Sequence, residues 1–105
     1  MQKMKRRVAI AAEAQDDLVS IFNYVAEDSR RMALLLVDRL EAAALDLSET
    51  ALQYPIVRQR GEVAVRRRVV GTYNVLFSLI DDHVEVLHIL HGKRSIDVAL
   101  NPADD

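Results

Sequence analysis

Six side chains that are cationic, or can become so, gather in the carboxy-terminal half of this 105-residue chain: Arg66, Arg67, Arg68, His91, Lys93 and Arg94. Planar guanidinium groups grip phosphate or carboxylate oxygens through paired hydrogen bonds, and an imidazole adds a donor or moves a proton near neutral pH. On an extended strand Arg66 and Arg68 point one way and Arg67 the other. Arginines left in solvent need no functional explanation. Alternatively, Arg66 and Arg68 converge with His91 and Arg94 into an anion clamp, provided that outer strands flank a middle one. His91 itself fits either a hydrogen-bonded strand end or a proton shuttle. Arg66, Arg68, His91, Lys93 and Arg94 are therefore the expected contact residues. Other chemistry finds little support. The chain has no Gly-rich phosphate loop, no His-Glu-x-x-His pair and no serine elbow, the signatures of several enzyme classes. His88 and His91 are expected on opposite strand faces, with His83 at the far end of a hairpin, so no metal site is expected. Neither a cofactor nor a small-molecule substrate is expected.

Three strands would carry these residues. Val63–Val70, Tyr73–Ile80 and Val84–His91 are rich in β-branched and aromatic residues, and Gly71-Thr72 and Asp81-Asp82 separate them as tight turns. Strict alternation puts Tyr73, Val75, Phe77 and Leu79 on one face, with Leu76 and Ile80 opposite. In the last strand it groups Val84, Val86, His88 and Leu90 against Glu85, Leu87, Ile89 and His91. Both faces are substantially apolar. One should pack on helices, leaving the other partly exposed or covered by something else, which hints at a partner.

Upstream, Val8-Ala9-Ile10 is a short strand candidate. Leu18, Ile21, Phe22 and Val25 then mark an amphipathic helix over about 13–27, with Glu13, Asp16 and Asp17 in its first turns. Its start lacks a capping Ser or Thr, for Ala11-Ala12 stands there, at a cost of about 1 kcal/mol. Asp28-Ser29 can stop it and start a second helix, from Arg30 to about Leu52, whose core stripe is Leu36, Leu40, Ala44 and Leu47. So short a link folds the pair into an αα-hairpin. On another line of the second helix lie Leu34, Asp38, Glu41, Leu45, Ser48 and Leu52. Small domains leave some leucine outside, yet a leucine–acid stripe also suits a partner's amphipathic segment. Tyr54-Pro55 ends the helix, Ile56 to Glu62 reads as a loop, and Ser95 to Leu100 as a last turn or extended arm. The expected order is β-α-α-β-β-β: an α+β fold with a small antiparallel sheet on a helical hairpin.

This length suits one domain, residues 1–105, with a core over about 8–97 and flexible ends at 1–7 and 101–105. The absence of cysteine excludes disulfides and thiolate metal sites and fits a reducing cytoplasm. No secretory h-region follows the basic amino terminus, and no apolar run reaches the ~20 residues of a membrane span. The net charge of −2 hides segregation: residues 8–53 carry three arginines against nine acids, and residues 54–94 seven basic side chains against four acidic. Overall acidity disfavours a general nucleic-acid binder, while the basic half still permits an anionic target.

The phrase EAQDDLVSIFNYVAE from Glu13 resembles the opening helix of the ParE toxins, in the RelE/ParE superfamily of bacterial toxin–antitoxin modules. RRRVVGTYNVLFSLIDDHVEVLHILHGKRSID, from Arg66, is similar to that family's arginine, Tyr-x-Val-x-Phe and Val-x-His-Gly-x-Arg pattern. The resemblance covers Val8 to Asp97 and implies a small sheet on a helical hairpin. It implies a type II toxin, arresting growth until a cognate antitoxin neutralises it through a flexible segment. That antitoxin would bind operator DNA, which the toxin would reach only through it. Leu34, Asp38, Glu41, Leu45 and Leu52 would be the antitoxin contacts, since a disordered segment recovers its ordering entropy through buried area. ParE-type members are associated with inhibition of DNA gyrase, whereas RelE-type members are ribosome-dependent ribonucleases. In the second case Tyr73 or His91 would transfer protons, with Arg68 and Arg94 on the phosphate. Lys93 is the only lysine of the sheet half, and no tyrosine follows Arg94, so the expectation is a gyrase-directed toxin without catalytic residues. A non-toxic, toxin-like binding subunit is the remaining alternative.

Overall fold

The computed structural model of the protein describes residues 5–94 and 96–100. Its strands are β1 (Arg7–Ile10), β2 (Ile56–Arg60), β3 (Val63–Val70), β4 (Tyr73–Ile80) and β5 (His83–His91). Two-residue turns at Gly61-Glu62, Gly71-Thr72 and Asp81-Asp82 join β2 through β5 into an antiparallel meander. Only the first residue of each turn has positive φ, 60° at Gly61, 59° at Gly71 and 54° at Asp81. That is the pattern of a type II′ hairpin, whose twist matches the flanking strands. Glycine adopts this backbone freely, while Asp81 holds it against its own Cβ.

Between β1 and β2 come α1 (Ala12–Ala26), α2 (Arg30–Thr50) and a 3-10 turn, Ala51–Gln53. Ser29 caps α2, its Oγ accepting the Met32 N–H at 3.2 Å. Ala11 offers α1 no side-chain cap. The main chain there is held instead by the Ala11 N–H on the Val86 carbonyl (2.9 Å) and by Gln15 Nε2 on the Ile10 carbonyl (3.0 Å). A five-residue helix, α3 (Ile96–Leu100), ends the described chain.

The sheet runs β1-β5-β4-β3-β2, and the α+β class with a helical hairpin on one sheet face is as expected. Three details differ. The segment expected as a loop contains β2, an edge strand paired with β3 from Ile56↔Arg66 to Arg60↔Val63, with a register shift between Ile56 and Arg58. With only two apolar residues it carries no pattern of its own and exists because β3 supplies its partner. Next, β1 pairs parallel to β5, Arg7↔His83 through Ile10↔Val86, so the sheet is mixed rather than wholly antiparallel. Third, the β4–β5 register jumps from Leu76↔His88 to Phe77↔Val86, a bulge that adds one residue to β5. Alternation therefore breaks: Val84, Val86 and Ile89 all join the helix-side core, while Leu90 packs in a cluster with Leu76 and Val65.

The main core lies between the helices and the sheet, around Leu18, Leu40, Leu47, Val75 and Phe77; Leu36 only borders it. Phe77 is fully buried, and truncating such a side chain to alanine costs about 3–5 kcal/mol. The second cluster, Val65, Leu76 and Leu90, is packed by Ile96, Ala99 and Leu100 of α3, so the chain itself partly covers the second apolar face. Arg60 Nη1 fastens α3 by donating to the Leu100 carbonyl at 3.1 Å. At the amino end, the Arg6 N–H donates to the Ser48 carbonyl at 3.0 Å and Arg7 opens β1, so two residues expected in the flexible end belong to the fold. The expected flexibility of 1–4 and 101–105 falls outside the described residues. Among the described residues no helix is long and apolar enough to cross a membrane.

Candidate functional site

The five expected contact residues separate into two groups. Alternation on β3 turns Arg66 and Arg68 toward the end of α2. Arg66 Nη1 donates to the Tyr54 carbonyl at 2.7 Å. Arg68 Nη1 donates to the Ala43 carbonyl at 2.9 Å and to Asp46 Oδ2 at 2.8 Å, and its guanidinium lies 5.1 Å from the centroid of the Tyr54 ring. Both side chains tie β3 to α2 and the segment that leaves it. Arg68 lines a shallow groove with Arg39 and Gly71, and the expected convergence of Arg66 and Arg68 with His91 and Arg94 does not occur.

His91, Lys93 and Arg94 do come together. They line a cleft of about 710 Å³ with Tyr73, Asp17, Ser20 and Tyr24, floored by Ile21, Ile89 and Leu90. Strand pairing sets Tyr73 opposite His91, with ring centroids 5.4 Å apart at 81°, an edge-to-face contact. The chain then turns sharply. The Gly92 N–H donates to the Thr72 carbonyl at 2.7 Å, and a Cβ on Gly92 would stand 3.2 Å from that same oxygen, so any side chain there would crowd the backbone. The Arg94 N–H closes the turn on the His91 carbonyl at 2.9 Å, and Lys93 and Arg94 extend into solvent.

One hydrogen bond selects a tautomer of neutral His91. The Lys93 N–H donates to His91 Nδ1 at 3.2 Å, which occupies that lone pair and leaves the proton of the neutral ring on Nε2. In that tautomer His91 offers its surroundings an N–H donor through Nε2. With Lys93, Arg94 and the tyrosine hydroxyls it makes a cleft that supplies donors and positive charge. Asp17 is the carboxylate of the lining, and its Oδ2 is taken by the Ile89 N–H (2.9 Å) and by His88 Nδ1 (3.0 Å). Asp17 thus ties α1 to β5 just past the bulge. Among the described residues no group of three or more His, Asp or Glu side chains is arranged to hold a metal ion.

Along α2 and the turn after it, Leu34, Asp38, Glu41, Leu45 and Leu52 are all exposed, the three leucines at 49%, 56% and 60%. Glu41 also borders a groove of about 560 Å³ between the helices, lined by Leu18, Val19, Phe22 and Val37. Sequence reasoning overlooked this groove, and it overlooked Asp17 and Tyr24 in the cleft. For Tyr24 a signal existed: the ring sits outside the Leu18–Ile21–Phe22–Val25 stripe and is 74% exposed. Asp17 carried no such signal, because its partners come from β5, more than 70 residues away in sequence.

A family model described as the ParE toxin of a type II toxin–antitoxin system, parDE, matches residues 8–96. Among solved structures, a chain of the chromosomal ParDE toxin–antitoxin system from P. aeruginosa is similar, with a TM-score of 0.71, 18% identity, and coverage of 84% of this chain and 97% of that one. A chain of the toxin–antitoxin complex RelBE2 from Mycobacterium tuberculosis is also similar, with a TM-score of 0.57, 22% identity, and coverage of 83% and 98%. At such identities the likeness is one of fold. No curated protein matches the chain by sequence.

Proposed function

The chain belongs to the ParE toxin family of type II toxin–antitoxin systems, and from that premise we propose that it inhibits DNA gyrase, in the cytoplasm, until a cognate antitoxin covers it. The target surface is the cleft of His91, Lys93 and Arg94, with Tyr73 at its wall. Arg66 and Arg68, engaged within the chain, support the site only by holding α2 on the sheet. The observation that carries the non-catalytic reading is the Lys93 N–H on His91 Nδ1. A ribonuclease of this kind needs a base for the ribose 2′-hydroxyl, and a neutral imidazole whose free lone pair is occupied is a poor one. The antitoxin lies along α2, its flexible segment ordering over Leu34, Leu45 and Leu52 and into the groove beside Glu41, with Asp38 and Glu41 meeting its basic residues. Operator DNA is reached only through the antitoxin.

The test is gyrase supercoiling with purified toxin, alone and with the product of the adjacent reading frame. Supercoiling should fall with toxin and return with the antitoxin, and Lys93→Ala/Arg94→Ala should be inactive though folded. Undiminished supercoiling at saturating toxin, together with new messenger-RNA ends that disappear in His91→Ala, would establish the ribonuclease instead.

A further inference from the structure

We propose that the His91 cleft receives a single-stranded stretch of nucleic acid, one base lying against Tyr24 and the neighbouring phosphates on Lys93 and Arg94. This rests on the reading of the cleft as the target surface, and it names the nucleic acid of a gyrase–DNA complex as the component the cleft touches.

Three observations converge on that ligand. Tyr24 is a large aromatic on the polar side of α1, 74% exposed, with no place in the core; a ring with open faces beside cations is the usual platform for unstacked bases. Lys93 and Arg94, both exposed, border the same cleft, and such cations bind phosphate whatever the base. The remaining polar lining can donate: His91 through Nε2–H, and Ser20 and the tyrosines through their hydroxyls. Asp17, the acid of the lining, is already bonded by the Ile89 N–H and His88, so it opposes phosphate less than a free carboxylate would. The cleft holds about 710 Å³, within the usual range for a small-ligand site, which suits one nucleotide unit. Bases stacked inside a duplex cannot reach Tyr24, so single strands are preferred. An acidic peptide would satisfy the cations but leave the aromatic unused. The acidic remainder of the chain confines binding to this margin, and the affinity is accordingly modest and salt-dependent.

The full chain is titrated into fluorescein-labelled oligothymidylate of about a dozen nucleotides, as DNA and as RNA, and into a duplex and a polyglutamate peptide, with anisotropy as readout. The expected result is saturable binding to single strands, with duplex and peptide at least about tenfold weaker and the oligonucleotide recovered intact. Tyr24→Ala should weaken single-strand binding by about tenfold or more. Lys93→Ala/Arg94→Ala should flatten the slope of log affinity against log salt by about 1.4, at roughly 0.7 per phosphate contact. Arg31→Ala, an exposed cation outside the cleft lining, should change neither. Binding that ignores Tyr24→Ala, or a duplex or peptide that binds as well as the single strand, overturns the proposal. Loss of this inference with gyrase inhibition intact leaves the functional reading standing. Single-strand binding without gyrase inhibition refutes the functional reading alone.

Discussion

Arg68→Ala separates two accounts of the β3 arginines. As a surface contact, Arg68 could be removed with little effect on folding. As a tie between β3 and α2, it cannot. Its Nη1 makes a charge-assisted hydrogen bond to the Ala43 carbonyl, of a type worth roughly 1.5–3 kcal/mol. The bond to Asp46 is discounted to under about 1 kcal/mol, because the aspartate side chain is half exposed and screened by solvent. The guanidinium over Tyr54 contributes about 0.5–1 kcal/mol. These terms share one side chain and do not add fully, so the expected loss is about 2–3 kcal/mol. For a domain of this size that lowers Tm by roughly 10–15 °C. Urea unfolding measures the loss directly, and Asp46→Ala should cost only about 0.5 kcal/mol in the same assay. The supercoiling assay, run where the variant is fully folded, should show near-normal potency. Unchanged stability with abolished inhibition would refute the reasoning and return Arg68 to the target surface.

Asp81→Gly should raise stability by about 1 kcal/mol in urea melts, since glycine relieves the positive φ at the β4–β5 turn. Ser78→Ala should be neutral or stabilising by up to about 1 kcal/mol, because the buried Ser78 hydroxyl has no hydrogen-bond partner among the described residues; a clear loss by calorimetry would reveal a partner outside them. Leu45→Glu/Leu52→Glu should leave Tm within a few degrees, both leucines being exposed, yet weaken antitoxin binding at least about a hundredfold by isothermal titration. Asp17→Asn keeps the shape but loses the charge on the bonds from Ile89 and His88, so it should cost about 1–2 kcal/mol in chemical denaturation.

The amino-acid sequence by itself determined whatever depends on neighbours within a few positions. The i, i+3, i+4 spacing of Leu18, Ile21, Phe22 and Val25 sufficed for α1, Ser29 for the break before α2, and the apolar runs on either side of Asp81-Asp82 for β4 and β5. The exposed line from Leu34 to Leu52 followed from helix periodicity alone, and the split of Arg66 and Arg68 from Arg67 from the alternation of a strand. Tertiary structure decided what depends on pairing across the chain. β2 is a strand only because β3 lies beside it. β1 is parallel only because the helical hairpin carries the chain back before β2. The bulge after Val86 lets Val86 and Ile89, three positions apart, pack on the same helix-side layer and defeats counting by twos. Arg66 and Arg68 look identical in sequence to solvent-facing cations, and become ties because the carbonyls of Ala43 and Tyr54 arrive from another element. Asp17 enters the cleft for the same reason: a hydrogen bond spanning more than 70 residues leaves no periodic trace in the order of the amino acids.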